Sequence, residues 1–351
     1  MIDPSFWSGR RVFLTGHTGF KGSWLALWLA RLGAEVTGYA LAPPATPNLH
    51  ALIGADVPGT IGDVRDPEAL MRAVRTARPS IVLHLAAQPI VRESYRDPVG
   101  TYATNVMGLV HLLEAVRVTP SVEAVVVVTS DKCYENREWV WAYRENEAMG
   151  GADPYSNSKG CAELIVRGYR SSFFASAESP SIASGRAGNV IGGGDWSNDR
   201  LVPDITKAIF AGRPPVLRSP TSIRPWQHVL EPLGGYLLLA QALVKRGAAV
   251  ADGWNFGPAD EGMLTVAEVT ERLSRALGSN GAWERDSAPS PAESHVLRID
   301  SSRARTQLCW LPRLNARETV DWTAAWYLGW RDGADARTLC LDQLENYEMT
   351  R

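Results

Sequence analysis

Two residues of the sequence, Tyr155 and Lys159, have the types and the spacing needed to move protons. They are four positions apart, so on a helix the phenol and the ammonium would share one face. A nearby positive charge favours the phenolate, and we expect it to lower the pKa of Tyr155 from about 10 towards neutrality. Tyr155 would then be a base for the hydroxyl of an alcohol or a sugar. The alternative is a surface pair with no chemical role.

A second reactive stretch consists of Ser130, Asp131 and Lys132, which stand at the end of a predicted strand, Ala124–Ser130. Open parallel sheets bind ligands at the carboxyl ends of their strands, so a reaction centre is expected here. The alternative is a turn in which Asp131 caps a helix.

A glycine-rich segment near the N-terminus is typical of a nucleotide site. It follows a predicted strand, Arg11–Thr15, and opens a predicted helix, so a pyrophosphate could approach the backbone at the helix N-terminus. The residues expected to contact a dinucleotide here are Gly16, His17, Thr18, Gly19, Phe20, Lys21 and Gly22.

Two further strand ends extend the expected cofactor site. Asp63, followed by Val64, suits the amino group of adenine, although it could as well cap the next helix. The residues that end the predicted strand Ile81–Ala86 and continue it are small enough to let backbone approach a ribose; they are Leu85, Ala86 and Ala87. His84 in this strand is expected to be a hydrogen-bonded core residue.

The sequence contains only weak signals for choosing between NAD and NADP as the cofactor. The second predicted strand, Glu35–Tyr39, continues as Ala40-Leu41-Ala42-Pro43, without the acid that often binds the ribose of NAD and without an arginine for NADP. We expect NAD, with Lys21 as the residue that could meet a 2′-phosphate.

The order of apolar and helical segments indicates how these residues are brought together. Continuous apolar strands alternate with helical patterns near 67–76 and 99–116, which predicts an α/β fold with a doubly wound parallel (Rossmann) sheet. After about Pro180 the alternation breaks up, which predicts a smaller, discontinuous C-terminal α/β lobe. We expect a cofactor-binding domain at 1–185 plus about 224–253, and a substrate lobe at 186–223 and 254–351. Trp322, Trp326 and Trp330 share one helix face and are expected to pack within that lobe.

Composition excludes several classes of protein. The 351 residues are 45% hydrophobic and 21% charged with a net charge of −2, which fits a globular chain with a sizeable core and no footprint for nucleic acid or an acidic membrane. The longest apolar run has seven residues, against about 20 for a membrane span. The N-terminus has no secretory pattern, and the four cysteines have neither zinc spacing nor a CxxC pair. We expect a cytoplasmic protein with free thiols and no metal.

Together these motifs are similar to those of the nucleotide-sugar 4,6-dehydratases, in the extended short-chain dehydrogenase/reductase family. The resemblance runs along the chain through TGHTGFKGSW, HLAAQP, TNVMG, TSDKCYEN, PYSNSKGCAE, RAGNVIGGGDW, RPWQHVLEPL and WNFGP. Members that act on dTDP-glucose carry Thr-Asp-Glu where this chain has Ser-Asp-Lys. The resemblance implies a CDP-linked hexose as the substrate.

The resemblance also implies a reaction. Tyr155, helped by Lys159 and Ser130, would take the proton of the hexose C4 hydroxyl while a hydride passes to NAD+. Lys132, which replaces a glutamate of the relatives, would take the C5 proton and would have to be neutral at that moment. Asp131 would protonate the departing C6 hydroxyl. The hydride then returns to C6, so the net reaction is a dehydration and NAD is regenerated.

Further binding residues and an assembly follow from the same resemblance. Asn105 is implied for the cofactor, and the residues implied for the substrate, in addition to Ser130, are Gln88, Asn189, Arg218 and Arg224. The relatives form dimers through paired helices, which predicts a homodimer or homotetramer through 99–116 and 155–173.

The residues themselves are compatible with two other functions. One is a dehydratase or 4-epimerase of another nucleotide sugar (a dTDP-, UDP- or GDP-hexose), although epimerisation needs no acid for a leaving group. The other is an NAD-binding regulatory protein without catalysis, which would have no use for Ser130, Tyr155 and Lys159.

Overall fold

A computed structural model of the protein describes residues 2–43, 46–54, 57–258, 263–286 and 296–350. The strands in this part of the chain are β1 Arg11–Thr15, β2 Glu35–Ala40, β3 Gly59–Ile61, β4 Ile81–His84, β5 Ala124–Val128, β6 Ser181–Ala187, β7 Asn189–Ile191, β8 Val216–Leu217, β9 Ile223–Arg224, β10 Trp226–His228, β11 Gly253–Phe256, β12 Leu264–Thr265 and β13 Glu284–Arg285. The α-helices are α1 Pro4–Trp7, α2 Phe20–Arg31, α3 Leu49–Leu52, α4 Pro67–Ala77, α5 Val91–Arg96, α6 Pro98–Tyr102, α7 Gly108–Arg117, α8 Pro154–Phe173, α9 Leu201–Phe210, α10 Leu230–Arg246, α11 Val266–Ala276, α12 Ser302–Leu308, α13 Ala316–Arg331 and α14 Ala336–Met349. A π-helix spans Ala103–Met107, and 3-10 helices span Asp131–Cys133 and Gly247–Val250.

Within the described residues, seven parallel strands form one sheet in the order β3-β2-β1-β4-β5-β6-β11. The chain first winds from β1 through β2 to β3 and then returns to the other side of β1 with β4. A crevice therefore opens beyond the carboxyl ends of β1 and β4, where ligands bind in such sheets. The predicted doubly wound α/β fold is confirmed.

The strands form because both faces of the sheet are buried. Along β4, Ile81 and Leu83 belong to one hydrophobic core while Val82 belongs to another, and β5 alternates in the same way. The first core is completed by α2 and α10 and the second by α4, α7 and α8. A strand with two apolar faces needs unbroken β-branched sequence, as in the AVVVV of β5.

Three predicted elements end earlier or break. The strand predicted at Ile81–Ala86 ends at His84, because the next amides donate to the Thr15 carbonyl and hydroxyl instead of extending the ladder. The strand predicted at Ala124–Ser130 ends at Val128. The helix predicted at 99–116 is divided into α6, the π-helix and α7, since the π-helix carries the side chain of Asn105 towards two other elements.

The later part of the chain builds small sheets beside the large one. They pair β7 with β10, β9 with β12 and β8 with β13. One strand of this later part, β11, pairs with β6 in the large sheet, so a boundary at 253/254 would fall inside a strand. The predicted boundaries at 185/186 and about 223/224 likewise fall inside strands, β6 and β9. We propose that the cofactor-binding domain includes all of β6 and β11, to Ala187 and to Phe256, and that its second segment begins after β9.

Helix α13 packs on the small β7–β10 sheet and on α11 and α14. Trp326 is fully buried and Trp322 and Trp330 pack partly buried on the same core, which confirms the predicted packing face. A Cβ at Gly193 would lie 2.0 Å from the Trp326 ring, so this position has to be glycine. None of the helices in the described residues has the length and the apolar character needed to cross a membrane.

Candidate active site

A cavity of about 930 Å³ runs along the carboxyl ends of β1, β4 and β5 and into the later segments. It brings together most of the residues singled out in the sequence, although they are spread over more than 200 positions. The predicted site residues on its wall are Gly16, Thr18, Gly19, Phe20, Lys21, Gly22, Asp63, Val64, Leu85, Ala86, Ala87, Ser130, Lys132, Tyr155, Lys159, Asn189, Arg218 and Arg224.

The glycine loop is built by contacts that leave no room for side chains. Gly16 has a φ of +77°, and a Cβ on it would lie 2.9 Å from the Ala86 nitrogen. A Cβ on Gly22 would lie 2.0 Å from the Gly16 carbonyl oxygen. Gly19 caps α2 without a side-chain hydrogen bond, so the first amides of this helix are free to bind an anion. The loop fits a dinucleotide pyrophosphate.

The catalytic candidates lie where β5 ends against α8. Lys159 Nζ donates to the Val128 carbonyl at 3.3 Å, and the Ser130 hydroxyl lies within hydrogen-bonding reach of Tyr155. Tyr155 and Lys159 are each less than a tenth exposed and share one face of the helix, as predicted. The sheet and the helix therefore hold these three side chains as one group.

The electrostatics of this group differ from the expectation for Tyr155. Burial raises the pKa of Tyr155 to about 12, and the hydrogen bond with Ser130 and the charge of Arg200 oppose this only in part. Burial likewise lowers the pKa of Lys159 to about 8. The expected fall in the pKa of Tyr155 was wrong for the ligand-free protein, because desolvation of the phenolate outweighs the attraction of nearby cations.

Asp131 and Lys132 lie on opposite sides of the cavity wall. Lys132 Nζ reaches into the cavity, 3.5 Å from Asp131 Oδ1 and 3.4 Å from Asn189 Oδ1. Asp131 has no exposed surface, and its Oδ1 accepts from the Ser130 hydroxyl at 2.9 Å. Its Oδ2 is buried without a hydrogen-bond partner among the described residues. Asp131 therefore supports Ser130 and Lys132 from behind the wall. The resemblance, in contrast, implies that Asp131 faces a ligand.

Three other predicted contact residues are turned away from the cavity. The Asn105 side chain accepts a hydrogen bond from the Gln88 amide at 2.8 Å. It donates to the Gln88 carbonyl at 3.0 Å and to the Ser158 hydroxyl at 2.9 Å. Gln88 turns its own side chain to the Thr101 hydroxyl, at 2.9 Å. His17 is buried against Gly38 and His50, and burial lowers its pKa to about 4. In this structure these residues shape the wall and make no direct contact with the cavity.

The two alternatives for Asp63 are resolved by the helix that follows. Helix α4 is capped by Asp66, so the capping interpretation of Asp63 was wrong. The Asp63 carboxylate accepts from the Arg65 side chain at 2.6 and 2.8 Å, and it lies on the cavity wall beside the end of β3. This placement is compatible with an adenine contact.

Lys21 lies at the catalytic end of the cavity. Burial lowers its pKa to about 7, with smaller effects from Arg200, Lys159 and Asp131. These charges belong to the reaction centre, so Lys21 lies there and not at the position expected for a residue that binds a 2′-phosphate. His84 accepts or donates one hydrogen bond with Thr15 at 2.8 Å inside the core, which confirms its structural role.

Arginines mark the far end of the cavity, in the later segments. Arg218 Nη1 is buried without a hydrogen-bond partner among the described residues, as expected for a group that binds an anionic ligand. Arg224 is buried at the start of a small sheet, and its guanidinium donates to the Ile223 carbonyl at 3.1 Å. Arg200, which lies 3.6 Å from Asp195 and near Tyr155, was missed because an arginine before a helix carries no motif of its own.

A parallel sheet with a glycine loop after β1, and a tyrosine–lysine pair on a helix beside a strand-end serine, defines a short-chain dehydrogenase/reductase site. Within this class, the family model for GDP-mannose 4,6 dehydratase matches residues 13–323, and the chain belongs to this family. 

Known proteins with similar sequences and structures agree with this placement. The chain is 50% identical to the CDP-glucose 4,6-dehydratase of Salmonella typhimurium over 353 aligned positions, which cover 99% of this chain and 98% of the relative. Its fold is similar to that of a UDP-glucose 4-epimerase of Thermus thermophilus in complex with NAD (TM-score 0.78, 25% identity, 91% of this chain and 99% of the other). It is also similar to that of the dTDP-glucose 4,6-dehydratase DesIV of Streptomyces venezuelae (TM-score 0.78, 22% identity, 93% and 99%).

Proposed function

We propose that the chain is a hydro-lyase that converts CDP-glucose to CDP-4-keto-6-deoxyglucose and water. The observation that carries this proposal is the group formed by Ser130, Lys132, Tyr155 and Lys159 on one cavity wall, in a chain that is 50% identical along its length to a CDP-glucose 4,6-dehydratase. A site that only bound a nucleotide would have no use for a buried tyrosine and two amines beside it.

The residues of the cavity suit NAD as the resident cofactor. The glycine loop and α2 would hold its pyrophosphate, and Asp63 and the backbone of Leu85–Ala87 would face its adenosine half. Bound there, NAD would supply an acceptor for the C4 hydride and, once reduced, a hydride donor for C6, so the reaction would need no external oxidant.

The side chains supply the proton transfers. Tyr155 takes the proton of the C4 hydroxyl, and the cations around it stabilise the phenolate that this step requires. Lys132 is positioned to take the C5 proton when its amine is neutral, since Nζ reaches into the cavity. We propose Asp131 as the acid for the C6 hydroxyl; because it is fully buried, the turn 131–133 has to move when the substrate binds.

The arginines of the later segments suit the nucleotide end of the substrate. Arg218 and Arg224 would bind the pyrophosphate, and Asn189, which lies 3.4 Å from Lys132, would face the hexose. Gln88, Asn105 and His17 would contribute to ligand binding indirectly, because they hold the cavity wall in place.

We propose that the paired helices bind a second copy of the chain. Val99, Met107, Leu164 and Phe173, on α6, the π-helix and α8, are large apolar residues that are about half or more exposed. Exposed apolar side chains on these helices support a homodimer, or a homotetramer built from two dimers. The four cysteines are free thiols, which supports work in the reducing cytoplasm.

The test is mass spectrometry of nucleotide sugars incubated with the purified protein. We expect CDP-glucose to lose one water without net formation of NADH, and dTDP-glucose, UDP-glucose and GDP-mannose to remain unchanged. Loss of water from another sugar would keep the reaction and refute the cytidine assignment. No change in any sugar, with NAD bound, would favour a binding protein without catalysis.

A further inference from the structure

Directly behind the catalytic group lies a buried ion pair that the proposed reaction does not use. The side chains of Glu163 and Arg186 are each 5% exposed, and Arg186 Nη2 donates to Glu163 Oε2 at 2.6 Å. Burial opposes ionisation of the glutamate, yet Arg186 and two hydroxyl donors keep the pKa of Glu163 below its usual value. Glu163 is therefore a carboxylate.

This carboxylate is shared between the sheet and the helix. The Thr129 hydroxyl donates to Glu163 Oε1, and the Ser184 hydroxyl donates to Oε2 at 2.7 Å. The Thr129 amide donates to the Gly185 carbonyl at 3.0 Å, so Thr129 is held from two directions. Removal of the carboxylate would leave Thr129, the residue before Ser130, held by its backbone amide alone.

The end of β5 and the two residues after it contact one face of α8. Three consecutive residues, Val128–Ser130, meet three side chains spaced four apart on one helix face: Lys159 bonds Val128, Glu163 bonds Thr129, and Tyr155 contacts Ser130. The middle contact of the strand end thus belongs to Glu163, and the outer two belong to the catalytic pair.

Glu163 lies one turn along α8 from Lys159 on the same helix face, so its negative charge acts on that amine. The titratable groups around this amine are Glu163 on the same helix, Cys133 in the turn after β5, His84 at the end of β4 and Lys21 on α2. Burial lowers the pKa of Lys159, and Glu163 is the largest influence that raises it again. Without that negative charge the amine would lose its proton at a lower pH.

We propose that Glu163 is a positioning residue of the dehydratase, which fixes Thr129 between the two catalytic contacts and supplies the negative charge that keeps Lys159 an ammonium. The kinetic part of this inference rests on the proposed function, and the charge part does not. Arg186 keeps Glu163 ionised and is therefore needed for this role.

The first variant is Glu163→Gln, which keeps the shape and removes the charge. Lys159 is labelled with acetic anhydride across a pH series in the ligand-free protein, and its peptide is quantified by mass spectrometry. We expect the midpoint of labelling to move to lower pH by about one unit, and the alkaline limb of kcat to move with it. We expect kcat to fall about tenfold with little change in KM for CDP-glucose.

Two further variants separate positioning from charge and from folding. Thr129→Val removes the link to the strand end and leaves the ion pair intact; we expect a lower kcat with an unchanged labelling midpoint. Ser184→Ala removes one hydroxyl donor but leaves Arg186 on the same carboxylate oxygen, so Glu163 stays ionised and both measurements should match the wild type.

A folded Glu163→Gln protein with the wild-type midpoint and kcat would overturn the proposal. If this variant does not fold, a wild-type kcat in Thr129→Val would overturn it. If the wild type dehydrates no sugar, the proposed function fails, while the labelling midpoints still decide the role of Glu163 as the counter-charge of Lys159.

Discussion

The glycine loop offers a sharp test of how the cofactor site is built, through the substitution Gly22→Ala. A Cβ at this position would lie 2.0 Å from the Gly16 carbonyl oxygen, 2.7 Å from the Gly16 carbonyl carbon and 2.8 Å from the His17 Cα. Real Cβ contacts start above about 3 Å, and all three neighbours are backbone atoms that cannot rotate away. The loop would have to move by roughly an ångström relative to α2.

This displacement sets the size of the expected effect. Overpacking of this kind costs about 1–3 kcal/mol of folding free energy. The moved backbone includes the amides that would hold the pyrophosphate, so NAD binding should weaken by at least about tenfold, or roughly 1.4 kcal/mol. The measurements are titration calorimetry with NAD and thermal unfolding of the NAD-free protein.

Gly168→Ala is the matched control, because this glycine also lies inside a helix but its Cβ would meet nothing within 4 Å. Alanine is favoured over glycine in a helix by about 1 kcal/mol, so this variant should be as stable as the wild type or more so, with unchanged NAD affinity. Wild-type NAD affinity and stability in Gly22→Ala would refute the argument that backbone packing at Gly22 shapes the site.

Further expectations concern proton transfer, acid stability and substrate binding. Lys132→Ala should slow the exchange of solvent deuterium into C5 of the sugar, and a normal exchange rate would mean that another group is the base. Burial lowers the pKa of His17 to about 4 and those of His84 and His228 to about 3, against 6.5 in an unfolded chain. The stability from keeping them neutral is present above pH 6.5 and is lost as the pH falls towards 4, so the unfolding temperature should drop over that interval; a flat profile would contradict this. Arg218→Met should raise KM for CDP-glucose about tenfold and leave kcat nearly unchanged, whereas an unchanged KM would remove Arg218 from the substrate site.

Much of the fold and the site could be predicted from sequence, because the signals are local. Strand β5 has the unbroken β-branched sequence that a doubly buried strand requires, and Gly22 is required by its contacts with Gly16 and His17, a few residues away. Tyr155 and Lys159 share a helix face through their spacing alone. The resemblance supplied the reaction and the substrate, which no spacing of residues determines.

The tertiary structure decided what depends on the surroundings of a side chain. Sequence placed Asp131 and Gln88 after the correct strands and Asn105 in a helical segment, but only the packing of neighbouring elements turned their side chains away from the cavity. The protonation of Tyr155 was misjudged for the same reason, since desolvation is set by every atom around the phenol. The role of Glu163 could not be seen in the sequence, because its partners Arg186, on β6, and Thr129, directly after β5, are 23 and 34 residues away. Sequence determines which groups are present and which face of an element they share; the distance and burial that tune them arise only when distant elements pack.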